Sequence, residues 1–60
     1  MQTLRQVRQK NKLTQLEMSL LLGVSLSYYV KVESGKVRAG RGFIEKFAVR
    51  FPYEDIRGLL

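Results

Sequence analysis

Residues Thr14–Gly35 read TQLEMSLLLGVSLSYYVKVESG, and this stretch decides the fold. Thr14-Gln15-Leu16-Glu17 is a capping box. The Thr14 hydroxyl accepts from the Glu17 amide, and the Glu17 carboxylate accepts from the Thr14 amide. A helix therefore starts here, and Gly23 stops it at a position suited to positive φ. Ser25 then caps a second helix, expected from Leu26 to Ser34, with Gly35 as its stop. Tyr29 and Val32 share one face of that helix and are expected in the core.

Outward from this pair, the pattern predicts more helix on both sides. Upstream, Leu4, Val7 and Arg8 lie at helical spacing within a helix from Gln2 to Lys10. Asn11 and Lys12 are expected to end it, with Asn tolerating the left-handed conformation used at such ends. Downstream, Phe43, Ile44, Phe47, Ala48 and Phe51 form an apolar stripe over Arg41–Phe51, and Pro52 prevents continuation. The stripe reads as core packing, without a cofactor. A short last helix over Tyr53–Gly58 would offer Ile56 to the core. Strand alternation is absent throughout. The expected architecture is all-α, with five helices in a single domain spanning residues 1–60.

Composition narrows the function. With neither Cys nor His, the chain has no disulfide and no ordinary zinc ligand set. No metal and no cofactor is expected. Catalysis is disfavoured as well, since no carboxylate pair is flanked by a credible nucleophile. Gly40-Arg41-Gly42 is too short to be a phosphate-binding loop. The apolar run Met18–Leu22 is far too short to cross a bilayer. MQTLRQVRQKNK has no apolar signal core, so a cytoplasmic location is expected by default. Formal net charge is +6, from eleven Lys and Arg against five Asp and Glu. Arg5, Arg8, Lys10 and Lys12 fall in one block without acids, and Lys36, Arg38 and Arg41 in another. Two basic blocks suit a polyanion, although a merely solvated basic surface gives the same count. Two short helices around a tight turn, the second opening on polar and aromatic residues, are the pattern of a helix-turn-helix that places its second helix in the DNA major groove.

From Leu4 to Leu60 the chain resembles the phage-repressor and Cro-like helix-turn-helix family, often called the XRE family. LRQVRQKNKLTQLEM (Leu4–Met18), LLGVSLSYYVKVESGK (Leu21–Lys36) and FIEKFAVRFPYEDI (Phe43–Ile56) carry the resemblance. The last block, with SYYVKVESG, is similar to small regulators of phages and conjugative elements of Gram-positive bacteria. The resemblance implies a compact five-helix domain that binds double-stranded operator DNA, as a weak homodimer on two half-sites. It implies base contacts from Leu26, Ser27 and Lys31, with Tyr28 beside them touching a phosphate or a thymine methyl. Thr14 and Gln15 would meet a phosphate, joined by Ser25, Lys36, Arg38 and Arg41. Arg8 and Glu33 match a family ion pair that ties the first helix to the third. Lys12 stands where the family commonly has Gly. Leu26 and Val30 replace usual polar residues and cannot read donors and acceptors on base edges, but they can pack on thymine methyls. Fewer direct hydrogen bonds and more shape readout are therefore expected.

One feature of the second helix points elsewhere. Met18 and Leu22 are expected in the core with Leu21 alongside. Leu16 and Leu20 then fall on the opposite side, because two residues turn a helix by roughly 200°. They are either scattered surface residues or a contact surface for a second subunit or another protein, with Ile56, Leu59 and Leu60 as a rival surface. The leading expectation is a sequence-specific DNA-binding regulator, a repressor. The alternative is a protein-interaction module on the same fold, of antitoxin or anti-repressor type. A membrane-active peptide fits poorly, because Gly23, Gly35 and Pro52 break any long amphipathic helix.

Overall fold

Thr3 caps the first helix, which begins at Leu4, two positions after the expected start at Gln2. Its hydroxyl accepts from the Gln6 amide at 3.1 Å, and Gln6 Oε1 accepts from the Thr3 amide at 2.8 Å. The computed structural model describes residues 3–54, and among them four helices and no strand. These are α1 (Leu4–Lys10), α2 (Gln15–Leu21), α3 (Leu26–Glu33) and α4 (Arg41–Arg50). The Thr14–Glu17 capping box is formed as expected, with bonds of 3.1 and 2.8 Å. Ser25 caps α3, its hydroxyl accepting from the Tyr28 amide at 3.1 Å.

The first three helices end in the same way. Val24 N–H donates to the Ser19 carbonyl at 3.0 Å and Gly23 N–H to Leu20 at 3.2 Å, with Gly23 at φ 65°. Lys36 N–H donates to Lys31 at 2.9 Å and Gly35 N–H to Val32 at 3.1 Å, with Gly35 at φ 84°. Both are Schellman motifs, which satisfy carbonyls left over at a helix end. The end of α1 repeats the pattern, with Leu13 N–H on Arg8 at 3.1 Å and Lys12 N–H on Gln9 at 3.0 Å. Here Lys12, not Asn11, takes the left-handed conformation, at φ 56°, while Asn11 sits at φ −92°. Asn11 instead donates its side-chain amide to the Val7 carbonyl at 2.8 Å. A Cβ in this conformation is strained, whereas Gly loses more freedom on folding. Lys12→Gly is expected to stabilise the chain by about 0.5 kcal/mol, the relief of strain exceeding the added entropy loss. Urea denaturation would show the midpoint moving up; a fall would mean that Lys12 makes an offsetting contribution.

The core holds Leu4, Val7, Met18, Leu22, Tyr29, Val32, Phe43 and Phe47, with Leu13, Val24, Tyr28, Ala39 and Phe51 packed at its margin. Leu13 and Val24 each follow a left-handed residue, so two helix ends also deliver an apolar side chain to the core. Leu21 does not join Met18 and Leu22; it is exposed, and the buried neighbour is Ser19. The helical turn explains the exchange. At about 100° per residue, Ser19 lies on the far side of the Met18–Leu22 arc from Leu21, on the flank where Gln15 reaches Glu33 of α3 at 3.2 Å. Ser19 satisfies its buried hydroxyl by donating to the Leu16 carbonyl at 2.7 Å.

Two expected boundaries shift by one residue. Ser34 caps α3 rather than extending it, and Phe51 caps α4 at φ −128°. Beyond α4 the chain turns, with Glu54 N–H on Phe51 at 3.1 Å, and the Glu54 carboxylate reaches Lys10 at 3.1 Å. Most of the expected fifth helix over Tyr53–Gly58 lies outside the described residues, as do Ile56, Leu59 and Leu60. No helix among the described residues is long and apolar enough to cross a membrane.

Candidate nucleic-acid interface

The orientation of α3 is set at its last residue. The Glu33 side chain is 1% exposed and accepts from three directions. Arg8 of α1 donates through Nε at 2.9 Å and Nη2 at 3.2 Å, Gln15 of α2 through Nε2 at 3.2 Å, and Tyr29 of α3 through its hydroxyl at 2.5 Å. Arg5 adds a longer approach at 3.6 Å. Arg8 also donates to the Leu13 carbonyl at 2.9 Å, so one side chain holds the α1–α2 loop and the α3 carboxylate together. Burial by itself would raise the Glu33 carboxyl, but hydrogen bonds from Arg8, Tyr29 and Gln15 and the Arg8 charge overcome it and hold the group below its ordinary value. The same bond to Glu33 raises the Arg8 guanidinium against the opposing effect of burial. Burial, then the bond to the carboxylate, pushes the Tyr29 phenol up. The expected Arg8–Glu33 pair is thus present, inside a larger network that includes Tyr29 and Gln15.

With Tyr29 and Val32 turned into the core, α3 presents Leu26, Ser27, Val30 and Lys31 outward. Leu26 and Val30 are one turn apart, as are Ser27 and Lys31, so the four form a single stripe without an acid. Leu26 is 41% exposed and Val30 36%. Tyr28 stands at the edge of this stripe, half-buried. Its hydroxyl accepts from the Gly40 amide at 3.2 Å, and its ring meets Phe43 edge-on, 6.0 Å between centroids at 67°.

The expected phosphate-binding residues are, but for Gln15, exposed. Thr14 and Ser25 are exposed N-caps. Lys36 and Arg38 are exposed in the α3–α4 loop, and Arg41 opens α4 with its side chain 94% exposed, 3.7 Å from Glu45. Gln15 is half-buried and directs its amide nitrogen to Glu33. A family model described as helix-turn-helix matches residues 4–55.

The chain belongs to the Cro/repressor-type (XRE) helix-turn-helix family.

At the level of that family it is a DNA-binding transcription regulator. No curated protein and no solved structure matches it. In helix-turn-helix terms, α2 and α3 are the two helices of the motif and Gly23 lies in the turn between them.

Sequence reasoning missed the contact between Tyr28 and Gly40. No spacing rule couples a helix residue to a loop amide twelve positions on. It also missed a second surface, on the α2 side. Leu20, 70% exposed, and Leu21 line a shallow groove with Val49 of α4, which is 76% exposed. Lys46 and Arg50 cross its floor to the carbonyls of Gly23 and Leu21, at 3.5 and 3.2 Å. Leu16, 53% exposed, lies one turn before Leu20 on the outer side of α2, as the sequence grouped them, but does not line this groove. The available signal was Val49, an apolar residue off the Phe43–Phe47 stripe.

Proposed function

We propose that the chain is a sequence-specific repressor that inserts α3 into the major groove of operator DNA. The observation that carries this reading is the acid-free outward stripe of α3, flanked by exposed cations of the α3–α4 loop and the start of α4. Ser27 and Lys31 supply hydrogen bonds to base edges, while Leu26 and Val30 pack on thymine methyls. Thr14, Gln15, Ser25, Lys36, Arg38 and Arg41 hold the phosphates and fix the register. The N-terminal amides of α2 favour an anion there. Occupation of an operator excludes other proteins from the same DNA, which is repression in its simplest form. One such small domain makes few contacts, so a weak dimer with recognition helices about 34 Å apart is the competent species. The working location is the cytoplasm, at the nucleoid.

Selection of bound duplexes from a random pool tests the reading. A palindromic or repeated half-site rich in thymine methyl contacts is expected. Salt-sensitive binding without any enriched sequence would remove the sequence-specific role and leave backbone binding alone.

The groove of Leu20, Leu21 and Val49 favours one second reading, a module that also engages a protein partner. Capture of the same partner by nuclease-treated and untreated chain would support it. Loss of every captured protein on nuclease treatment would sink it.

A further inference from the structure

α4 begins without a side-chain cap. Gly40 is its N-cap residue, at φ −75°, and forms no side-chain cap bond. Its carbonyl accepts from the Ile44 amide at 3.1 Å and so starts the helix. Its own amide is held from outside, by the hydroxyl of Tyr28 at 3.2 Å. The Tyr28 ring lies edge-on to Phe43, a core residue in the first turn of α4. One side chain of the recognition helix therefore grips the start of α4 at two points, one polar and one aromatic.

The connection that this grip restrains is short and permissive. Gly35 and Gly40 bound the α3–α4 loop and Gly42 follows in the first turn, so the backbone has wide freedom at three places. The same segment carries Lys36, Arg38 and Arg41. Cations on a loosely held segment lose entropy when they dock on phosphates; a segment already held loses less.

We infer that Tyr28 is a positioning residue: it locks the start of α4 against the recognition helix and so sets the loop cations at a fixed distance from the base-reading stripe. This role rests on the DNA-binding reading above and takes the place of the thymine-methyl contact, one of the two contacts that the family resemblance offered for Tyr28. The hydroxyl oxygen that accepts from Gly40 and the ring set edge-on to Phe43 tie Tyr28 to the start of α4, whatever the hydroxyl proton itself donates to. Ser27 and Lys31, with Leu26 and Val30, remain as the readers.

Y28F separates the possibilities, because it removes the hydroxyl and keeps the ring on Phe43. Hydrogen exchange of the Gly40 amide reports the grip without any DNA. It is expected to be protected in the unaltered chain and to speed up in Y28F by about 3- to 10-fold, the equivalent of one hydrogen bond. On DNA, Y28F is expected to weaken operator and random duplexes alike. The slope of log K against log salt should become shallower by about 0.9, as when one phosphate contact is lost. Sequence preference should be unchanged. Tyr28→Ala, which also frees Phe43, should give the same pattern with larger effect. A changed preference at one base position with an unaltered salt slope would overturn the inference and make Tyr28 a reader. Unaltered exchange at Gly40 would overturn it too. If the unaltered chain binds no duplex at all, the regulator reading itself falls, and the exchange data show whether the grip exists apart from it.

Discussion

Glu33→Ala is expected to remove a large part of the chain's stability. The carboxylate is the shared acceptor for Arg8, Gln15 and Tyr29, from three different helices. Its removal strands an Arg8 guanidinium that is only 15% exposed and a fully buried tyrosine hydroxyl. Breaking a buried pair from one side destabilises by about 3–5 kcal/mol. The lower end applies here, since water reaches part of Arg8. At roughly 0.05–0.15 kcal/mol per residue, a 60-residue domain has about 3–9 kcal/mol in all, so the change removes a third or more of it. Urea or thermal melts followed by circular dichroism measure it directly. A variant that melts like the parent yet loses DNA binding would transfer Glu33 from the scaffold to the interface.

The same carboxylate fixes the sign of the acid response. Glu33 is held below its ordinary value despite burial, by the bonds from Arg8, Tyr29 and Gln15. Its stabilisation is therefore fully present above the unfolded carboxyl value of about 4.3 and disappears as pH falls through the lower folded value. Glu33→Gln should be less stable than the parent near neutrality and should lose less stability between the two pH regions. A parallel acid limb in both proteins would mean that other carboxylates govern acid unfolding.

Combined replacement of Lys31, Lys36 and Arg41 by Ala is expected to reduce DNA affinity by about 100-fold near physiological salt, and to make the salt slope shallower by about 1.8, from the two phosphate contacts of Lys36 and Arg41 at about 0.9 each. All three side chains are exposed, so melting should barely change. Of the three, Lys31 alone lies on the outward stripe of α3 proposed to read bases. Its single replacement should alter sequence preference, whereas Lys36→Ala and Arg41→Ala should weaken all sequences equally. Uniform weakening from all three would remove Lys31 from the readers. An unchanged slope would place the DNA on another face.

Most of the helix-turn-helix was legible because its signals are local. The Thr14–Glu17 box, the Ser25 cap and the glycines at 23 and 35 each act within a few residues, and all four appear where expected. Lys12 was not legible, because nothing in a lysine announces a left-handed backbone. Asn11 carried the local preference but spends its amide on the Val7 carbonyl. The exchange of Leu21 for Ser19 in the core is a tertiary effect, since the position of α3 decides which flank of α2 is covered. The Glu33 pair was suggested by family resemblance, whereas Gln15 and Tyr29 joined it only in three dimensions. The clasp between Tyr28 and Gly40 depends on how a loop returns, which periodicity does not encode.

The outward stripe of α3 is chemically separate from the network beneath it. Glu33 and Tyr29 secure the helix from the inner side, while Leu26, Ser27, Val30 and Lys31 stand outside the core. Substitution on an exposed helix face usually changes stability by no more than about 0.5 kcal/mol. Those four positions can therefore be exchanged as a set, and the scaffold can host a different reading head. Divergence into new operators would need neither a new fold nor a compensating change in the interior.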